Sequence, residues 1–124
     1  MVDVDKPKNH KDLEVWKQSM DLVDVVYRVT KGFPHEELYG LVNQMRRCAV
    51  SVPSNVAEGA ARSGKKEFSQ FLHVSLGSLS ELETQILISK RLGYMDREEA
   101  LLRRIETVRK LLLGLIKHVR KEGT

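Results

Sequence analysis

The chain holds 124 residues, of which 41% are hydrophobic, 31% charged and 6% aromatic. That is about one domain's worth of chain, and near-average apolar content with abundant charge excludes both a membrane-embedded protein and a core-less disordered polymer. The 21 Lys+Arg against 17 Asp+Glu leave +4, while one cysteine and four scattered histidines exclude an internal disulfide and a structural zinc site.

Residues 1–9 are polar, without the apolar stretch of a signal peptide, and no later apolar run approaches the ~18 residues of a membrane span. A cytoplasmic protein with no membrane partner is expected, as a single domain over residues 1–124 with 1–9 as a flexible lead. Punctuation at Gly32-Phe33-Pro34, Ser63-Gly64 and Gly93-Tyr94 leaves four long segments. In the first, Leu13, Trp16, Met20, Val23 and Tyr27 recur at steps of three and four, which defines a helical core line. Val15, Leu22, Val26 and Val29 form a second line beside it. The second segment is expected to start as a helix at Pro34, with Glu36 and Glu37 offsetting its dipole. Its stripe is Leu38, Leu41, Val42, Met45, Cys48, Ala49, Val52 and Val56. Pro53 removes one helical hydrogen bond, and because the apolar phase continues past it, a kinked single helix is expected rather than two.

The third segment, about Lys65 to Arg91, buries Phe68, Phe71, Leu72, Leu79, Leu82 and Ile86. Gly77 in its middle implies close approach of a neighbouring helix to offset a propensity cost of up to about 1 kcal/mol. The fourth opens on Asp96-Arg97-Glu98-Glu99, a capping-box-like start, and lines up Leu101, Ile105, Val108, Leu112, Leu115 and Val119. Leu102, Leu111, Leu113 and Ile116 widen that line. Four helices with short connections predict an all-α, antiparallel up-down four-helix bundle. The extra apolar width on the first and fourth helices predicts self-association through their flanks.

Two polar patterns are candidate sites. Arg47, Ser51, Asn55, Glu58 and Arg62 lie at three- and four-residue steps on the second helix. They form either an anion site built on arginine forks or a structural network in which the arginines pair with Glu58 and with Glu81 or Glu83, while Ser51 and Asn55 satisfy backbone freed by Pro53. Arg103, Lys110, Lys117 and Lys121, spaced seven, seven and four, share one face of the fourth helix. From Arg103 to Lys121 seven basic residues face the single acid Glu106, giving +6 where the whole chain carries +4. Such a line contacts nucleic-acid phosphates, or else is a solvated face favoured by the helix dipole. Arg46, Lys65 and Lys66 are candidates to extend it. The core placement of Trp16, Tyr27, Phe68 and Phe71 leaves no exposed aromatic on this face, which favours contacts to the nucleic-acid backbone over base stacking.

Catalysis finds little support. Ser51 and Ser54 have no histidine at a diagnostic spacing, His10, His35, His73 and His118 sit on different segments, no Glu-x-x-His pair suits a di-metal bundle, and Ser63-Gly64-Lys65-Lys66 lacks the phosphate-loop frame. A protein without enzymatic activity, metal or cofactor is expected.

Phe33-Pro34, the run Gln44-Met45-Arg46-Arg47-Cys48-Ala49-Val50-Ser51-Val52-Pro53-Ser54-Asn55-Val56-Ala57-Glu58-Gly59 and Arg62 form a first block; Gly77-Ser78-Leu79-Ser80-Glu81-Leu82-Glu83-Thr84 and Leu92-Gly93-Tyr94 form a second. From about Leu13 to Val119 the chain resembles the 23S rRNA intervening-sequence proteins, departing at Cys48, where alanine is usual. The resemblance implies a helical bundle assembling as a ring-like homopentamer. It also implies a likeness in architecture to the accessory protein of diversity-generating retroelements, a basic barrel that binds nucleic acid and a reverse transcriptase. The partners so implied are further copies of the chain, RNA or DNA, and a nucleic-acid-processing protein; the alternative is a protein-interaction scaffold with no specific nucleic-acid activity.

Overall fold

The structure, a computed structural model, describes residues 10–122. The flexible lead expected over residues 1–9 lies outside the described residues. Four helices account for most of the rest: α1 (Glu14–Thr30), α2 (Leu41–Ala60), α3 (Lys65–Arg91) and α4 (Glu98–Glu122), with short 3-10 turns at His10–Asp12 and His35–Glu37 and no strand among the described residues. α1 packs on α2 and α4, α3 packs on α2 and α4, and the diagonal pairs keep their backbones apart. With connections this short, that arrangement is an up-down four-helix bundle.

The core is built from Leu22 and Val26 of α1, Met45, Ala49, Val52 and Val56 of α2, Leu72, Leu79, Leu82 and Ile86 of α3, and Ile105, Val108 and Leu112 of α4. On α1 the central stripe is the second of the two apolar lines. Val15, Leu22 and Val26 are buried, joined by Ser19 and Thr30, whereas Met20 and Tyr27 of the first line stay 41% and 39% exposed. The two hydroxyls enter the core because each bonds back to its own helix, Ser19 Oγ to the Trp16 carbonyl at 2.9 Å and Thr30 Oγ1 to the Val26 carbonyl at 2.7 Å, so neither is buried unsatisfied. Trp16 and Val23 pack half-buried at the core's edge.

α2 begins at Leu41, not at Pro34. Pro34 instead precedes the 3-10 turn, and Gly40, at φ −113° and ψ −111°, stands at the start of α2. Glu37 still serves the new helix, since its Oε1 accepts from the Leu41 amide at 3.3 Å, one of the orphan donors of a helix start. Leu38 is thereby left outside the helix and exposed. From Leu41 the helix continues through Pro53 to Ala60 as one element. Next to the proline, Ser75 of α3 donates to the Val52 carbonyl at 2.8 Å.

α3 ends in a Schellman turn: the Tyr94 amide reaches the Ser89 carbonyl at 2.9 Å, the Gly93 amide reaches Lys90 at 3.1 Å, and Gly93 takes φ +79°, a conformation that favours glycine. This turn delivers Tyr94 to the α1–α2 connection, where its ring lies 5.5 Å from Phe33 and its hydroxyl donates to Glu37 Oε2 at 2.9 Å. Two sequence blocks far apart in the chain thus close one end of the bundle.

Three other expectations change. Phe68 and Phe71 are half-buried and pack over Gly59 of α2 instead of joining the central core. The close approach lies at Gly59, while a Cβ on Gly77 would meet nothing within 4 Å. α4 starts at Glu98 with Asp96 in the preceding bend, and its sixth-turn core residue is Ile116, with Leu115 half-buried. Leu102, Leu111 and Leu115 pack against the core, so Leu113, 49% exposed, is what remains of the extra apolar width on α4.

Candidate nucleic-acid interface

The polar line on α2 divides into three pieces. Ser51 Oγ lies 2.8 Å from Ser78 Oγ of α3, and Asn55 Nδ2 donates to both the carbonyl and the hydroxyl of Ser51, at 2.8 and 2.9 Å. This cluster ties α2 to α3, and the carbonyl it satisfies is that of Ser51. Further along, Arg62 pairs with Glu58 at 3.0 Å and approaches Glu67 at 3.9 Å, its guanidinium 5.2 Å from the Phe71 ring centre. Both charged side chains are about half exposed, so the pair contributes at most about 1 kcal/mol. Arg47, at the other end, is exposed and forms no ion pair among the described residues.

The expected network through Glu81 and Glu83 does not form, because both carboxylates have other partners. Glu81 Oε2 accepts from the Cys48 thiol at 2.6 Å, and Glu83 Oε1 accepts from Arg109 of α4 at 2.8 Å. Arg46, a candidate extension of the basic face, is instead held on the α1–α2 seam. Its Nε donates to Thr30 Oγ1 at 3.0 Å and its guanidinium lies 4.6 Å over the Tyr27 ring.

On α4 the core residues Ile105, Val108 and Leu112 point into the bundle. At 100° per residue, Arg103, Lys110, Lys117 and Lys121 fall on the opposite side, and all four are exposed. Arg109 occupies the α3-facing edge. It binds Glu83 and, at 3.5 Å, Glu106, so it engages the one acid within the basic stretch. Arg103, Lys110, Lys117 and Arg120 have no ion pair among the described residues. Lys65 and Lys66 are exposed at the start of α3.

Residues 11–114 match the family described as 23S rRNA-intervening sequence protein. The chain belongs to that family. A solved structure similar to this intervening-sequence-family protein is that of a protein of unknown function from the S23 ribosomal protein family of Bacteroides thetaiotaomicron. The TM-score is 0.76 and the identity 23%, over 83% of this chain and 95% of that one; at that identity the likeness is one of fold. No curated protein matches.

Sequence spacing missed two surface features of this family member. Tyr39 is 90% exposed beside Leu38, Tyr27 and Val50, around a hollow of about 670 Å³ that also takes in Arg46 and Arg47. The apolar surface left open thus lies along α1 and α2, along α3 at Val74, Leu87 and Ile88 with Leu92 just beyond its end, and at Leu113 of α4. A second hollow, between α3 and α4, is lined by His73, Leu113, Ile116, Lys117, Arg120 and Lys121. No described helix is long and apolar enough to cross a membrane, and no three metal-ligating side chains cluster among the described residues.

Proposed function

We propose that this protein is a non-enzymatic cytoplasmic homo-oligomer, a pentamer, that binds RNA or DNA through backbone electrostatics and acts as an accessory or scaffold protein. The observation that supports this reading best is the row Arg103, Lys110 and Lys117: exposed, on the side of α4 away from the core, and without ion pairs among the described residues, where Arg109 engages Glu83 and Glu106. Repeated around a ring, such a row gives several phosphate contacts at once, and their joint effect is salt-dependent and sequence-tolerant. The exposed Tyr27, Leu38, Tyr39 and Val50 supply an apolar surface for assembly. The sequence resemblance also implies a likeness in architecture to the retroelement accessory protein, a basic barrel that binds nucleic acid and a reverse transcriptase, and this adds a nucleic-acid-processing partner to the reading.

Titration of labelled RNA and DNA at about 50 and about 200 mM salt tests the reading. Affinity is expected to fall steeply with salt, and neutralising Lys110, Lys117 and Lys121 together is expected to cost about tenfold at low salt and to flatten the salt slope by about three contacts. Negligible binding at low salt, or affinity indifferent to those three changes, favours the alternative of a protein-interaction scaffold, to which the exposed Tyr39 surface is suited. Light scattering tests assembly separately, with an expected mass of five times the 14.2 kDa chain; a monomer mass at micromolar concentration refutes it.

A further inference from the structure

The hollow between α3 and α4 has a composition that the backbone-contact reading leaves unused. It measures about 630 Å³, within the range of roughly 300–1,000 Å³ that holds small ligands, and combines an apolar floor with a cationic rim. The floor is Leu113, 49% exposed, over the buried Ile116. Lys117, Arg120, Lys121 and the His73 ring form the rest of the lining, which contains no acid among the described residues.

Resting on the nucleic-acid reading above, we infer that this hollow seats an unpaired base of a bound strand, making the protein selective for single-stranded RNA or DNA over duplex. A phosphate alone satisfies the rim but leaves the leucine wet, whereas a nucleotide presents both a flat apolar face and an anionic group. Duplex offers only phosphates on its outside, with its bases already stacked. The basic face carries no Phe, Tyr or Trp, but bases also stack on imidazole and on guanidinium planes, and the hollow has one of each. His73 Nδ1 lies 2.8 Å from the Ser69 carbonyl. A carbonyl only accepts, so the ring donates there through Nδ1 and is held in place. Arg120 has no ion pair among the described residues and is available to stack. Lys117 belongs to both the hollow and the outward row, and Lys110 stands two turns away, about 10 Å along the axis. A strand whose base enters the hollow therefore continues along the row with its phosphates on lysines.

Fluorescence anisotropy with a short labelled RNA, the same sequence as DNA, and the matching duplex tests this with the full chain and with His73→Ala and Leu113→Ala, both at exposed positions where melting curves check the fold. Single strands are expected to bind more tightly than duplex, and each substitution to weaken them roughly five- to tenfold, as loss of one stacked base does, while duplex affinity moves by less than about twofold. A 2-aminopurine in the strand is expected to change emission on binding the unsubstituted protein and not on binding His73→Ala. Equal affinity for single strand and duplex, or substitutions that leave single-strand binding untouched, overturns the base seat while the lysine row stands on its own neutralisation result. Absence of all nucleic-acid binding at low salt brings down both. Binding of an acidic leucine-bearing peptide with the same His73 and Leu113 dependence, in place of single strands, overturns it in favour of a protein ligand.

Discussion

Gly59→Val is expected to destabilise the fold by about 3 kcal/mol, and Gly59→Ala by about 2, the range of overpacked cores. A Cβ at position 59 would lie 2.8 Å from Phe71 Cβ, 3.0 Å from Phe68 Cδ1 and 3.3 Å from the Phe68 carbonyl oxygen. A ring can rotate away, but the carbonyl and the Phe71 Cβ move only with the backbone of α3. The α2–α3 connection is only residues 61–64 long, so the two helices have little freedom to part there. The helix-propensity gain of up to about 1 kcal/mol on replacing glycine is already set against the clash. Gly77→Ala is the matched control: with nothing within 4 Å of its Cβ, it is expected to gain a few tenths to about 1 kcal/mol. Urea melts followed by helical circular dichroism measure both, and a Gly59→Val chain within 0.5 kcal/mol of the unsubstituted one shows that the α2–α3 approach is looser than described.

That contrast marks what apolar spacing conveys. Helix number, the extent of α3, and most of the stripes on α2, α3 and α4 follow from a 3.6-residue period that each segment carries in itself. Which glycine admits a neighbour does not, because Phe68 and Phe71 reach Gly59 from the next helix. The phase error on α1 has a similar origin. Two apolar lines of equal quality run side by side, and the choice between them depends on Ser19 and Thr30, whose hydroxyls count as polar in a sequence yet are satisfied by their own helix. At the start of α2 the carboxylates were legible as helix-start residues, but the break at Gly40 placed Glu37 one turn outside the helix it caps.

The basic row was legible because an outward face is the complement of a buried one. The polar line on α2 was not, since equal spacing on one helix says nothing of what the facing helix supplies. There α3 supplies Ser78 opposite Ser51 and the Phe71 ring near Arg62, while Arg109 of α4 takes Glu83. The hollow that joins His73 to Leu113 brings together residues 40 positions apart, beyond the reach of helical periodicity.

Cys48 is expected to make the fold sensitive to alkali. The thiol is 7% exposed. Burial first, then donation of its proton to Glu81, pushes its pKa from 9.0 to about 11, against smaller opposing effects of the Gln85 hydrogen bond and the Arg47 charge. The folded state therefore holds the thiol proton more tightly than the unfolded chain does. Its contribution is fully present below about pH 9 and is lost as pH rises through about 11, a loss on the order of 3 kcal/mol for a shift of this size. The Tyr94 phenol is raised as well, chiefly by its hydrogen bond to Glu37, so the contribution of the thiol is isolated by comparison with Cys48→Ala. Stability of the unsubstituted chain is expected to fall more steeply than that of the variant between pH 9 and 11. At pH 8 the folded thiol is expected to react with a disulfide reagent about a hundredfold more slowly than the unfolded one on thiolate fraction alone, before its burial is counted. Parallel pH–stability curves, or a thiol equally reactive in folded and unfolded protein, would show that Cys48 is not held buried against Glu81.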